Sequence, residues 1–383
     1  MDAVLVTLAN LFLGLFALDT GLSLLDEALC AALGGHPLAL VRNPVALLVL
    51  LASLPLWLLM LLSPRIPRGP FVPLALFSPL YVPLGLPLAY SAGWLTGEDA
   101  WQLSLLQAAT LAWAAALLQA RGGRPWLRLA ALRGPAFSWW SSLRFAGGSA
   151  ALVPTVALAF AFLVSASITR FTGGYLALRP GGFDLLERTF AKGDQRVRLV
   201  GMMHLGDQAA YGRLVRGFEG EDIAVLAEGV TDREGLLGGH LRYKEVAVKA
   251  GLDAQQDLLT YCPGLYVVHA DVDLSDLHPQ TVEILRHTER LLDFSHLDLA
   301  AVQDYLEWSS GLGALEQEIF WEDVIDRRNA EVLANLDAML SQAWPEVVIP
   351  WGAGHMPDLD AAVRARGFTP EREVRHRLVA WGW

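Results

Sequence analysis

Lysine is absent from the first 170 residues of this 383-residue chain, and acidic residues are scarce there. That segment holds nine arginines and six acids, a formal balance of 9 − 6 = +3. Residues 171–383 hold the remaining 20 basic and 34 acidic residues, a balance of 20 − 34 = −14. Such a division is typical of a membrane part followed by a water-soluble domain. The strong negative charge of the second part argues against a nucleic-acid partner, because nothing would offset repulsion from the phosphates.

Cysteine is nearly absent as well: Cys30 and Cys262 are the only two, one in each part. Neither has a partner at the spacing of a metal or redox motif, so the sequence predicts neither a disulfide framework nor a thiolate metal site. Basic residues are also missing from residues 1–25, which argues against a cleavable signal peptide.

Charge is missing altogether from three long apolar runs, at residues 44–63, 101–119 and 146–168. Each run is long enough to cross a hydrocarbon core of about 30 Å as a helix. These runs therefore predict three transmembrane spans.

Two further segments are candidate spans. Residues 4–18 are apolar but are followed by Asp19, so they predict either a span or an interfacial helix. Residues 71–95 contain four prolines and are interpreted as a kinked span, because membrane helices tolerate proline better than soluble ones. Residues 1–170 are thus predicted to form a multi-pass bundle of four or five helices in contact with membrane lipid.

The arginines between the spans predict an orientation. Two of them follow the run at 44–63 and five follow the run at 101–119, whereas the connection between these two loops carries only acidic residues. Positively charged loops stay in the cytoplasm, so residues 171–383 are expected outside it if residues 71–95 cross. The other two arginines of this part, Arg42 and Arg170, fall on the non-cytoplasmic side in this orientation and do not support it.

Three acids follow the first apolar run, namely Asp19, Asp26 and Glu27. Intramembrane acids often mark ion pathways, but acids near a helix end or facing a bundle are the commoner case. With no basic partner expected among the spans, a transport role is the weaker interpretation.

The second part alternates strand and helix patterns. Two strands, at 183–190 and 195–203, flank the turn Lys192-Gly193-Asp194 and predict a hairpin. Asp207 is a candidate N-cap for a helix that follows. Further strands are predicted at 223–227, 265–269, 346–350 and 373–383, and further helices at 240–260, after Asp273, and at 315–344. The fold class is therefore α/β, a mainly parallel sheet with flanking helices behind an N-terminal helical transmembrane bundle.

Ionisable residues follow four of the predicted strands directly. His204 ends Gly201-Met202-Met203-His204, and His355 ends Gly352-Ala353-Gly354-His355; glycine is expected to let the backbone turn closely at the strand end. Glu228 and Asp271 follow two other strands. Because ligands bind beyond the carboxyl ends of parallel strands, these side chains are expected to line one crevice.

Arg328 adds a fifth candidate. It lies on a predicted apolar stripe formed by Trp321, Ile325, Val332, Leu336 and Met339. A buried guanidinium needs an anionic partner, and Glu228 and Asp271 are the available candidates. Arg328 is thus either a site residue or a group that only holds a carboxylate in place.

Residues 183–383 resemble the TraB/PrgY/GumN/TIKI family, within the wider group of erythromycin esterase-like and ChaN-like proteins. The resemblance rests on elements that follow one another along the chain: the first Gly-x-x-His ending at His204, Glu228 after a strand, Arg328-Asn329 in a helix, and the second Gly-x-x-His ending at His355, followed by a helix and Gly367-Phe368. Asp271-Val272-Asp273 departs from the Asp-Arg-Asp or Asp-Arg-Pro that relatives often carry. The membrane spans also precede the domain here, whereas they often follow it in relatives.

The TIKI branch of this resemblance implies a peptidase that depends on a divalent metal, Mn²⁺, Co²⁺ or Zn²⁺. His204 and His355 would be metal ligands and Glu228 a ligand or general base, while Arg328 would stabilise the oxyanion or orient Glu228. The substrate would be a peptide or protein outside the cytoplasm. The alternatives are a metal-independent hydrolase with a histidine base, a non-catalytic protein that sequesters a peptide or haem, and a transporter whose soluble domain is regulatory.

Overall fold

The chain divides into two compact units, Met1–Ser167 and Ile168–Trp383. The structure is a computed structural model, and it describes residues 2–33, 36–85, 87–88, 101–203, 205–237, 253–254, 265–291, 308 and 312–381.

The first unit is built from long apolar helices. They are α1 (Asp2–Leu33), α2 (Ala39–Leu62), α3 (Arg68–Leu80), α4 (Trp101–Gly122) and α5 (Trp139–Phe171). Within the described ranges, four of them are long and apolar enough to cross a membrane: α1, α2, α4 and α5. The three predicted spans are thereby confirmed as helices, and residues 4–18 are part of a helix of 32 residues. A multi-pass membrane protein is consistent with this architecture.

The proline-rich segment is helical where it is described. After α3 the chain continues into a π-helical turn, Tyr81–Gly85. Residues 89–100 lie outside the described residues, so the crossing of residues 71–95 stays a prediction.

Two arginine-bearing loops meet at one end of the first unit. Arg65, in the loop between α2 and α3, donates from Nε to the carbonyl of Gly134 at 3.1 Å. Its Nη1 also donates to both carboxylate oxygens of Asp2, at 2.6 and 2.8 Å. The start of α1, the loop after α2 and the loop after α4 therefore lie together.

The acids of α1 have partners in neighbouring helices. Arg42 Nη1, at the start of α2, lies 3.4 Å from Asp26 Oδ2 and 3.8 Å from Glu27 Oε1. Asp19 accepts a hydrogen bond of 2.7 Å from Gln107 Nε2. The expectation of no basic partner was wrong, because Arg42, near the start of α2, lies against the last two turns of α1.

The second unit is built around a sheet of seven strands. These are β1 (Leu176–Arg179), β2 (Gly182–Lys192), β3 (Gln195–Met202), β5 (Ile223–Ala227), β7 (Tyr266–His269), β8 (Glu346–Gly352) and β9 (Thr369–Ala380); β4 (Leu205–Gly206) and β6 (Asp253–Ala254) form a separate pair. The order is β1-β2-β3-β8-β5-β7, with β9 against β2. Neighbours from β3 to β7 run parallel, whereas β2 is antiparallel to β1, β3 and β9. The predicted mostly parallel α/β fold is confirmed.

Most strand predictions are confirmed, with shifted bounds. The hairpin between β2 and β3 pairs Lys192 with Gln195 across Gly193-Asp194. The last strand begins at Thr369, four residues before the predicted start, because its polar first half pairs with β2. Strand β1 was missed. Residues 240–260 lie outside the described residues apart from β6, where the helix prediction is wrong.

Helices cover both faces of the sheet. Alternate residues of β8 point to opposite sides, so Val347 and Ile349 join one core and Val348 the other. The first core includes residues of α9 (Arg328–Ser341) and α10 (Met356–Ala365), and the second includes α6 (Gln208–Arg216). The two remaining helices are α7 (Pro279–Leu291) and α8 (Ala314–Trp321).

A π-helical segment, Glu322–Arg327, joins α8 to α9. Its extra residue per turn shifts the phase of the apolar stripe. Val332 and Leu336 are fully buried as predicted, but Trp321 is 52% exposed, so its predicted place on the buried stripe is wrong. Arg328 follows the π segment directly.

Candidate functional site at the carboxyl ends of the strands

Three of the four predicted strand-end residues come together. Glu228 follows β5, Asp271 follows Ala270 at the end of β7, and His355 follows β8 by three residues. These strands are neighbours and run parallel, so their carboxyl ends lie at one edge. His204, after β3, lies outside the described residues, and its predicted role stays untested.

Arg328 links the two carboxylates. Its Nε and Nη2 donate to Oδ1 and Oδ2 of Asp271 at 2.9 and 2.7 Å, and Nη2 also donates to Glu228 Oε1 at 2.9 Å. Burial lowers the pKa of the guanidinium, but hydrogen bonding with Asp271 and the charges of both carboxylates outweigh it, so the net shift is upward. The predicted partners of Arg328 are confirmed, and the formal charge of the three groups is −2 + 1 = −1.

Asp271 holds Arg328 in position. Its side chain is fully buried. Besides the two bonds from Arg328, it accepts from the backbone N–H groups of Gly229 and Val272, both at 2.9 Å. Four donors match the four lone-pair sites of a carboxylate, so Asp271 is suited to positioning rather than to proton transfer.

Glu228 is held from two sides but is less fully enclosed. Oε1 accepts from Arg328, and Oε2 accepts from the backbone N–H of Gly352 at 2.6 Å. Its side chain is 7% exposed. The carboxylate is therefore fixed in orientation at the carboxyl end of β5, next to His355.

The tautomer of His355 follows from its hydrogen bonds. Asn329 Nδ2 donates to Asp358 at 3.5 Å, which leaves Asn329 Oδ1 as acceptor for His355 Nδ1 at 2.8 Å. His355 Nδ1 then carries the proton, and Nε2 carries the lone pair. Nε2 lies 3.9 Å from Glu228 Oε1 and 3.4 Å from Arg328 Nη1. The basic nitrogen of His355 therefore faces the carboxylate and the guanidinium.

The expected close turn of the backbone does not account for the glycines of the two motifs. The backbone of Gly201, Gly352 and Gly354 does not have the positive φ that requires glycine. A Cβ on Gly201 would lie 2.7 Å from Tyr175 Cβ, so close packing against Tyr175, just before β1, requires glycine there. A Cβ on Gly352 would meet Glu228 Oε1 and His355 Cδ2 at 3.4 Å, which are ordinary contacts.

Two contributors were not predicted. Asn329 orients His355, and only its place beside Arg328 in the motif hinted at it. Trp351 is fully buried beneath the site, with the Arg328 guanidinium 5.4 Å above its ring and the His355 ring edge-on at 5.3 Å. The sequence could not identify Trp351, because an apolar residue in a buried strand has the same pattern whether it lies beneath a site or in the ordinary core.

Glu228 and His355 are the described members of the predicted metal-ligand set. Among the residues that the structure describes, no three His, Cys, Asp or Glu side chains are grouped to hold a metal ion. The pair itself fits: an imidazole whose Nδ1–H is held by a side-chain oxygen, beside a carboxylate, is the usual environment of a metal-binding histidine. A third ligand would have to come from beyond the described residues, and His204 is the one that the sequence predicts.

No protein-family model, curated protein or solved structure matches the chain.

Proposed function

We propose that the chain is a membrane-anchored hydrolase of the TraB/PrgY/GumN/TIKI type, acting as a divalent-metal-dependent peptidase. The observation that carries the proposal is the assembly of Glu228, Arg328 and His355 at the carboxyl edge of neighbouring parallel strands. Buried ionisable groups gathered at this edge are typical of active sites in α/β proteins.

His355 Nε2 and Glu228 would hold the metal, together with His204. When bound, Mn²⁺, Co²⁺ or Zn²⁺ would lower the pKa of a water molecule and polarise the scissile carbonyl. Arg328 fixes Glu228 and brings a permanent positive charge to the site, where it would stabilise an oxyanion. Asp271 holds Arg328, and Asn329 keeps the lone pair of His355 on Nε2.

A metal-independent hydrolase is the second candidate, and one contact favours it. The Arg328 guanidinium already neutralises Glu228 Oε1 at 2.9 Å and lies 3.4 Å from His355 Nε2. In this version His355 is the general base that takes a proton from water, and Arg328 faces the developing oxyanion.

We also propose that the soluble domain lies outside the cytoplasm. Arg65 contacts the loop after α4, so both arginine-rich loops share one end of the membrane unit. Cytoplasmic placement of that end follows the positive-inside rule. A reporter fused to the C-terminus and active only in the cytoplasm would contradict this orientation.

The test is hydrolysis of a peptide library by the purified full-length protein, with each metal and with a chelator. Activity is expected to require metal and to be lost in His204→Ala and His355→Ala, and to persist in His269→Ala, an exposed histidine at the end of β7. Asn329→Ala is expected to weaken metal affinity about 10–100-fold. Activity that survives chelation selects the metal-independent version. Tight peptide or haem binding without turnover refutes both and favours sequestration.

A further inference from the structure

The loop after α4 and its flanking helix ends form a strongly basic surface. Residues 121–144, called here the arginine loop, contain five arginines and no acid. All five side chains are exposed: Arg121, Arg124, Arg128, Arg133 and Arg144. In the part of the chain that the structure describes, none of the five forms an ion pair.

Two other arginines at this end behave differently. Arg65 pairs with Asp2 and donates to Gly134, while Arg68 donates to the carbonyl and hydroxyl of Ser141 at 3.2 and 3.0 Å. Both are turned inward and fasten the arginine loop to the helices. Arg65 and Arg68 therefore supply hydrogen bonds that hold the arginine loop to the helices, whereas the five exposed arginines form no ion pair within the described part of the chain.

Large aromatic side chains are exposed among the five arginines. Trp126, Phe137, Trp139 and Trp140 are 47%, 53%, 72% and 59% exposed. Two of them lie beneath arginines, since the Arg124 guanidinium is 5.5 Å from the ring centre of Trp126 and that of Arg144 is 5.1 Å from Trp140. Tryptophan favours the membrane–water interface, so these rings place the arginines at the level of lipid headgroups.

We propose that the arginine loop binds the phosphate headgroups of anionic phospholipids. A guanidinium forms paired hydrogen bonds with phosphate oxygens, and the net charge of such lipids matches a surface with no carboxylate. Zwitterionic phospholipids have a phosphate as well, but their net charge is zero, so the field of five arginines does not concentrate them. The site lies in the membrane unit and does not depend on any activity of the soluble domain.

The test measures lipid binding to full-length protein in neutral detergent by native mass spectrometry. Dioctanoyl phosphatidylglycerol and dioctanoyl phosphatidylcholine are the two probes, because they share chains and phosphate but differ in net charge. Each arginine near an anionic lipid surface strengthens binding about five-fold. The triple variant Arg124→Gln/Arg128→Gln/Arg133→Gln is therefore expected to lower phosphatidylglycerol affinity by up to about a hundredfold. Phosphatidylcholine binding is expected to stay unchanged.

Two matched variants test whether the preference depends on charge at the arginine loop, rather than on the identity of the basic side chain or on the total charge of the protein. Arg124→Lys/Arg128→Lys/Arg133→Lys keeps the charge and is expected to retain most of the preference. Arg213→Gln/Arg216→Gln/Arg372→Gln removes three exposed arginines from the soluble unit and is expected to behave as wild type.

Four results would overturn the proposal. They are equal affinity of the wild type for the two lipids, an undiminished preference in the loop triple variant, the same loss in the soluble-unit variant, and displacement of the lipid by inorganic phosphate at millimolar concentration. The last would identify a soluble phosphate as the ligand.

Discussion

Replacing Arg328 by methionine would remove the guanidinium that Glu228 and Asp271 share as an ion-pair partner, while keeping a side chain of similar length. The Arg328 side chain is 12% exposed, and that of Asp271 is fully buried. Removing one partner of a buried ion pair leaves an uncompensated charge and costs about 3–5 kcal/mol. For a unit of about 200 residues each kcal/mol shifts the midpoint by about 2–4 °C, so a drop of about 6–20 °C is expected.

The chain provides a control with the same geometry but a different environment. Arg366 donates from Nε and Nη2 to the two oxygens of Asp337 at 2.7 and 2.8 Å, as a paired fork like that of Arg328 on Asp271. Asp337 is 56% exposed, however, and such a surface pair contributes about 0–1 kcal/mol. Arg366→Met is therefore expected to lower the midpoint by at most about 4 °C.

The assay is thermal unfolding of the full-length protein in detergent. The transition of the second unit, Ile168–Trp383, is monitored by near-ultraviolet circular dichroism. Equal small shifts for the two variants would refute the claim that burial makes the Arg328 pairs costly to break. A large shift in Arg366→Met would refute the assignment of that pair to the surface.

Two further predictions concern packing and pH. Gly201→Ala is expected to lower the free energy of unfolding by about 1–3 kcal/mol, because the new methyl group would lie 2.7 Å from Tyr175 Cβ. Gly352→Ala is the control, because its new methyl group meets only ordinary contacts. Equal urea midpoints for the two variants would contradict this prediction. Burial raises the pKa of Glu187, but hydrogen bonding with His376 and neighbouring positive charge outweigh it, so the pKa lies below its usual 4.5. The resulting stabilisation is complete above pH 4.5 and is lost as the pH falls through and below that value, so Glu187→Gln should lose less stability on acidification than the wild type. If the urea midpoints of the wild type and of Glu187→Gln fall by the same amount between pH 6 and about pH 3, this assignment is contradicted.

The assembly of the site was predictable because parallel strands end at one edge. Glu228, Asp271 and His355 each follow a short, largely apolar run that predicts a strand, and Arg328 on an apolar stripe required a carboxylate partner. The sheet order then brings these groups together without any further signal.

Other features have no local signature. The π segment before Arg328 changed the phase of the helix, and a period of 3.6 residues could not show it. The pairing of Arg42 with Asp26 depends on how α2 packs against α1, and the role of Asn329 depends on the rotamer of His355. Each is set by tertiary contacts between residues whose types are common on any helix.

The most direct test of the metal centre is the metal content of the purified full-length protein after equilibration with Mn²⁺, Co²⁺ or Zn²⁺ and removal of excess ion. The proposal predicts one bound ion per chain for the wild type and for His269→Ala, and none for His355→Ala or Glu228→Gln, at unchanged unfolding midpoints for the two histidine variants. A wild-type protein without bound metal, or a His355→Ala variant that retains it, would contradict the assignment of the strand edge as a metal site.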